Sequence, residues 1–361
     1  MENLKTTPLH ERHIEAGASM SPFGGFDMPI EYEGIVAEHE AVRRHVGVFD
    51  VSHMGEVAVS GPEAMRFVNY IFTNDVAALP VGRIVYGMML HPDGGTIDDL
   101  LVYRMDEQKF LLVINASNIH KDVKWILTHA QAFNVRAVNV SDDWAEIAVQ
   151  GPDAETTLMT VLGIDVTDLS FYTFKQLADG TIVSRTGYTG EDGFEIYSTP
   201  ARIDAMWCKL MAAGVKPCGL GCRDTLRFEA GLPLYGDELA DDISPVEAGL
   251  GMFVKLDKDD FIGKEAIARQ KAEGVRRKLV GLEIDGPAIA RHGYEVLDTE
   301  GNVVGTVTTG YRSITLGRSL AMALVDAQHA ALGTELQVRV RRKTFPARVI
   351  KKRFYTPNYK K

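Results

Sequence analysis

Cysteine is scarce and odd in number: Cys208, Cys218 and Cys222 are the only three in 361 residues. That excludes a disulfide scaffold and suits a reducing, cytoplasmic setting. The Cys218-x-x-x-Cys222 spacing has no second ligand pair beside it, so no metal is expected. No run of about 18 apolar residues occurs, so neither a transmembrane helix nor a membrane partner is expected. The opening MENLKTTPLHERH lacks an apolar core and carries acids early, unlike a signal or transit peptide. Catalytic signatures are missing as well. There is no H-E-x-x-H, no G-x-S-x-G and no Walker A. Gly219 and Gly221 begin a G-x-G-x-x-G pattern, but Asp224 stands where the third glycine would be, so a dinucleotide fingerprint fails.

What is present describes a globular chain: 45% hydrophobic and 24% charged residues, and a length that implies two or three domains. The net charge of −10 is unevenly spread, because ten of the 39 Lys and Arg fall between Arg339 and Lys361, where no Asp or Glu occurs. Such a basic tail suits either an anionic ligand or partner, or a solvated edge strand that discourages aggregation. The acidic body argues against nucleic acid.

The chain repeats itself once. VAVSGPEA at 57–64 is echoed by IAVQGPDA at 147–154. Each reads as a strand, then Gly-Pro with the proline at the first helical position, then an apolar-periodic helix. Two strands and a second helix follow in each half, giving strand, helix, strand, strand, helix twice over. The fold class is therefore α+β, with two related α+β modules. From about residue 276 the pattern changes to strands alone, separated by turn signals such as TEGN, which reads as a small antiparallel barrel or sandwich.

Two acids sit oddly in strands. In GGTIDDLLVY (94–103), alternation places Ile97, Leu101 and Tyr103 with Asp99, and Leu100 and Val102 with Asp98. A carboxylate on an apolar face has a raised pKa and becomes a better base, so one of the pair is a functional candidate; the other reading is a solvated or backbone-bonded acid. In GEDGFEIYS, Glu195 shares a face with Tyr197 and could accept two donors from a heterocycle, or could be a surface acid at a sheet edge. Arg223, near the start of a helix opened by glycines, could fork onto a carboxylate or pair along the helix with Asp224 or Glu229. His53 shows no ligand spacing; it could be catalytic, but a lone histidine is more often a structural, hydrogen-bonded group.

Taken together, VGVFDVSHMGE (46–56), GGTIDDLLVY, SRTGYTGEDGFEI (184–196), GLGCRDTLRFEAGLPLYG (219–236) and TLGRSLAMALV (315–325) resemble the aminomethyltransferases of the glycine cleavage system, the T-proteins. The resemblance runs the whole chain, with Phe26 where many relatives carry Trp and Cys222 where Ala is usual. It implies a three-domain cloverleaf around a central channel: a folate-binding α+β domain from 1–52 and 142–275, a second α+β domain at 53–141, and a C-terminal antiparallel β-barrel at 276–361. It implies tetrahydrofolate as co-substrate and the lipoylated H-protein as partner. The one-carbon unit would pass from aminomethyl-lipoyl H-protein to tetrahydrofolate, with release of ammonia and formation of 5,10-methylenetetrahydrofolate. Asp99 matches the family's catalytic acid, which either raises the nucleophilicity of a folate nitrogen or stabilises positive charge. Glu195, Arg223 and Tyr359 match ligand contacts, and Tyr86, Tyr103, Asn115 and Tyr188 are expected to line the channel, with His53 and Asp98 as support. The alternative within the superfamily is a non-enzymatic tetrahydrofolate-binding regulatory protein. The related sarcosine and dimethylglycine dehydrogenases carry a flavin domain for which this chain has no room, so no flavin is expected.

Overall fold

A computed structural model describes residues 4–356 and Tyr359. Three separate sheets carry the architecture, together with a short hairpin of Ser19–Phe23 and Phe26–Glu31. The first sheet has five strands in the spatial order Ile84–Leu90, Thr96–Asp106, Lys109–Ile114, Gly55–Ser60, Arg136–Asn139. Helices Ala64–Ile71 and Ile119–Ala130 cover one face of it. Phe67, Val68, Ile71 and Ile126 pack there against Val57, Val59, Leu100, Val102 and Leu112, all essentially inaccessible to water.

The second sheet repeats that plan. Its order is Phe174–Gln176, Ile182–Ser184, Gly193–Ser198, Ala145–Gln150, followed by Gly47–Asp50 and Lys216–Pro217. Trp207 and Leu210, from helix Pro200–Ala212, fill its core. Matching strands therefore occupy matching places in both sheets, which is the duplication that the Gly-Pro echo announced. Each half also contains a strand that the sequence pattern did not resolve, Ile84–Leu90 and Phe174–Gln176. These two meet: Ile84 N–H donates to Tyr172 O at 3.0 Å, Phe174 N–H donates to Gly82 O at 3.0 Å, and Arg83 bridges Thr173.

Two local expectations need correction. The prolines do not start the helices. Gly61 and Gly151 both hold φ +130, and each opens a turn whose carbonyl accepts the N–H of the first helical residue, Ala64 or Ala154, at 3.0 Å. The proline sits within that turn. A side chain at Gly151 would meet His45 O at 2.3 Å, so glycine is required there for both conformation and space. The second correction concerns Ile97. Met89 pairs Asp98 while Leu90 pairs Thr96, so Ile97 is bulged out of register. It joins Leu100 and Val102 in the helix-covered core, not the face of Asp99.

The strand-only tail closes into a six-stranded barrel: Arg277–Ile284, Ser319–Asp326, Val303–Arg312, Glu295–Leu297, Glu335–Val340 and Lys343–Ile350. Ser319–Asp326 is apolar on both faces because both are buried. Ala321, Ala323 and Val325 fill the barrel, while Leu320, Met322 and Leu324 pack outward on Phe228 and Val254. Helix Leu220–Ala230 ties barrel and modules together. Its Glu229 accepts from Ser313 Oγ at 2.5 Å and from Arg43 Nη2 at 3.1 Å. Arg227, fully buried, pairs with Glu238 at 2.7 Å. Beyond Ile350 the chain turns back, so that Phe354 and Tyr355 N–H groups donate to Glu229 O. Among the described residues, no helix is long and apolar enough to cross a membrane.

Candidate active site

The strand Thr96–Asp106 delivers its two aspartates to different places. Asp98 points into the helix layer and is inaccessible to water. It accepts from Asn115 Nδ2 and Asn118 Nδ2, both at 2.8 Å, and from Asn115 N–H at 3.1 Å. Asp99 points the other way, into an open cavity of about 410 Å³ lined by both modules and by the chain just beyond the last barrel strand. Its Oδ2 accepts from the Tyr86 hydroxyl at 2.8 Å and its Oδ1 from Asn115 Nδ2 at 3.0 Å. One carboxamide thus touches both acids. Burial, and then the charge of Asp98, push the Asp99 carboxyl up to about 7, against the pull of its two hydrogen bonds. Tyr86 is pushed well above the ordinary phenol range, chiefly by burial, so it stays a donor. Its ring is fixed edge-on to Phe253, with centroids 4.9 Å apart.

The second module supplies the other wall. Glu195 pairs Ala148 and Tyr197 pairs Glu146 across neighbouring strands, so both glutamates stand on one face of the sheet. Glu195 Oε2 accepts from the Thr186 hydroxyl at 2.5 Å. Burial raises its pKa, while that hydrogen bond and the positive Arg223 lower it. Arg223 makes no ion pair among the described residues. Its guanidinium lies 4.7 Å from the centre of the Tyr188 ring, and the Tyr188 hydroxyl is tied to Pro233 O. Two buried polar atoms at this cavity, Glu146 Oε2 and His53 Nδ1, have no hydrogen-bond partner among the described residues. Burial and the charge of Arg223 hold His53 down to about 4, so it is a neutral imidazole.

Six of the residues expected to line a channel do so: Tyr86, Asp99, Asn115, Tyr188, Glu195 and Arg223. Tyr103 does not. It lies two places beyond Leu101 on the same strand, where Phe174 covers it, and it bonds Ser184 Oγ at 3.1 Å and Tyr197 OH at 3.0 Å behind the wall. Tyr359 stacks on Phe171, with centroids 4.6 Å apart, and is not among the side chains facing the cavity. Asp98 is the internal support it was expected to be. His53 is buried, but it also faces the cavity. Sequence reasoning did not find Glu146, Tyr172, Phe253, Lys352 or Arg353 at the wall. Only Glu146 left a usable signal, as a lone acid inside the apolar run AEIAVQ.

The cysteine pair proves to be close to a carboxylate. Donor atoms of Glu38, Cys218 and Cys222 lie within 4.8 Å of one another. Both Glu38 oxygens are already engaged by backbone N–H groups, of Tyr32, Glu33 and Gly34 on one and Gly219 on the other. That carboxylate anchors the start of the glycine-opened helix.

Comparison with known proteins gives a consistent result. Residues 9–258 match the GCVT N-terminal domain family, and residues 277–356 match the glycine cleavage T-protein C-terminal barrel domain. The aminomethyltransferase of Alkaliphilus oremlandii is 50% identical, with 100% of both chains covered. That of Caldanaerobacter subterraneus subsp. tengcongensis is 48% identical, covering 100% of this chain and 98% of the relative. The crystal structure of the glycine cleavage system aminomethyltransferase T from Bartonella henselae superposes with a TM-score of 0.95 at 35% identity, over 99% of this chain and 100% of that one.

Proposed function

This chain belongs to the glycine cleavage T-protein family of aminomethyltransferases, and from that premise we propose how its cavity works. The substrates are aminomethylated, lipoylated H-protein and tetrahydrofolate; the products are ammonia, 5,10-methylenetetrahydrofolate and dihydrolipoyl H-protein. Tetrahydrofolate supplies the nucleophilic ring nitrogens that accept the carbon. The cavity suits such a heterocycle, because unpartnered Glu146 Oε2 and the single-bonded carboxyl of Glu195 offer acceptors to a donor-bearing edge. Arg223 and the Tyr188 ring beneath it position an anionic or planar group.

One observation carries the catalytic reading: Asp99 is the carboxyl that faces the cavity, is poised near neutrality and is oriented by Tyr86 and Asn115. A group with that pKa can hold a proton and release it within the working range, and as an anion it stabilises positive charge at a neighbouring nitrogen. The division into 1–52 with 142–275, 53–141 and 276–361 serves as the working domain scheme, and a cytoplasmic location follows from the same reading. The test is ammonia release from aminomethylated H-protein with and without tetrahydrofolate. Asp99→Asn is expected to keep the fold and most folate affinity while lowering turnover by about two orders of magnitude or more. Near-full activity in that variant would remove Asp99 from the chemistry. Folate binding without turnover in the unaltered protein would instead support the regulatory alternative.

A further inference from the structure

Asp122, on helix Ile119–Ala130, is inaccessible to water, yet neither of its carboxyl oxygens has a donor within reach among the described residues. An ionised carboxylate does not persist in that situation. Four residues earlier, Asn118 donates to Asp98 at 2.8 Å, and this spacing places Asp122 on the same helix face. Its neighbour is accordingly Asp98, within hydrogen-bonding reach.

We propose that Asp122 is a neutral carboxylic acid that donates its proton to Asp98, and that this shared proton holds Asp98 as the anion standing behind Asp99. The donor sets decide which acid carries the proton. Asp98 receives three N–H bonds, from Asn115 twice and Asn118 once, which favour its charged form. Asp122 receives none. Among the charged groups around the pair, Asp98 and Asp99 favour a neutral Asp122 and Lys121 opposes it. Asp98 faces Asp122 from the strand, and Asp99 adds its charge from the strand's other face. Lys121, from the same helix, sends its ammonium to Ile97 O at 2.5 Å and the Tyr235 hydroxyl at 2.8 Å, not to Asp122. Tyr235 in turn donates to Asp241 at 3.2 Å. Burial and Asp98 push Asp122 up to about 11.

Asp122 is thus a positioning residue. It acts through Asp98, whose charge helps raise Asp99 and whose oxygens orient the Asn115 carboxamide that touches both acids. The inference rests on Asp99 being the reacting acid, but its first test does not. The infrared difference spectrum of the full-length protein minus Asp122→Asn, taken at about pH 9 where Asp99 is ionised, should contain the carbonyl stretch of one neutral carboxylic acid. A difference containing only ionised-carboxylate bands overturns the proposal. The second test is the pH profile of kcat/KM. Asp122→Asn keeps an amide donor and should leave the midpoint in place. Asp122→Leu removes that donor from Asp98, so the midpoint should move by about one unit, a tenfold change in proton affinity. Where Asp99→Asn abolishes turnover, a Leu profile coincident with that of the unaltered protein also overturns it. If only the reading of Asp99 is wrong, the infrared band stays and the kinetic midpoint is that of another group.

Discussion

Replacing Tyr86 by phenylalanine removes one atom from the site and leaves the ring against Phe253. The lost hydroxyl donates to Asp99 Oδ2 at 2.8 Å, and it stabilises the charged form of the acid. A hydrogen bond to an ionised acceptor is worth about 1.5–3 kcal/mol. At about 1.4 kcal/mol per unit, that equals a rise of about one to two units in the Asp99 pKa. Water entering the vacated space offsets part of the loss, so about one unit is expected, from a starting value of about 7. The sign is fixed by the chemistry: the bond favours the anion, its removal favours the acid, and the ionised fraction at neutral pH falls. Turnover that needs ionised Asp99 should therefore drop about fivefold near pH 7 and recover to within about twofold near pH 9. Tyr86 itself does not titrate in this window, because burial holds its phenol well above the ordinary range. The assay is ammonia release across pH at saturating tetrahydrofolate. A profile superimposing on that of the unaltered protein, or displaced to lower pH, would refute the argument. A loss of equal size at every pH would mean that the hydroxyl serves structure and not ionisation.

Three further expectations concern binding, stability and the basic tail. Glu195→Ala should weaken tetrahydrofolate binding by about 1.5–3 kcal/mol in a calorimetric titration, with a smaller effect on turnover at saturation; unchanged affinity would take Glu195 out of the ligand site. Arg227→Ala leaves Glu238 buried and unpaired, so unfolding should become easier by about 3–5 kcal/mol, partly restored by adding Glu238→Gln; equal melting curves for all three proteins would contradict this. Lys352 and Arg353 line the cavity while Lys351 is exposed, so Lys352→Gln with Arg353→Gln should lose affinity for folates in proportion to glutamate tail length. If instead those changes leave folate binding intact and flatten the salt dependence of the Michaelis constant for H-protein, these cations serve partner encounter, screened over about 8 Å at physiological ionic strength.

Much of this was legible in the amino-acid sequence, for identifiable reasons. The Gly-Pro echo exposed the duplication because each copy needs glycine at the same turn, and the shift to strands near residue 276 marked the barrel. Asp99 and Glu195 stood out as acids inside apolar runs. What alternation could not tell was which face of a strand meets a cavity and which meets a helix. Tyr103 shares the face of Asp99 but lies past the edge of the cavity, under Phe174. Ile97 escaped because a bulge breaks the period of two on which the reading depends. Lys352 and Arg353 read as part of a basic tail suited to an anionic ligand or partner or to solvent, since nothing local signals that the chain turns back after the last barrel strand. His53 and Glu146 come from separate segments, and only the pairing of Gly47–Asp50 with Ala145–Gln150 in the second sheet brings them to the same wall.

The seam where Ile84–Leu90 meets Phe174–Gln176 has a consequence for how this chain can be cut. Each strand is the outermost of its own sheet, and each is shielded there by its counterpart from the other half. The residues that bridge, Arg83 and Thr173, both immediately precede their strands, so the two halves face one another as two copies of a dimer would. Excising one half would bare the N–H and C=O groups that now bond across the seam, an unpaired strand end of the kind that recruits any available strand. Its best complement would be a second copy of itself. Self-association, not a clean monomer, is the expected fate of a half-length fragment, so the cavity between the halves is not accessible to study by dissection.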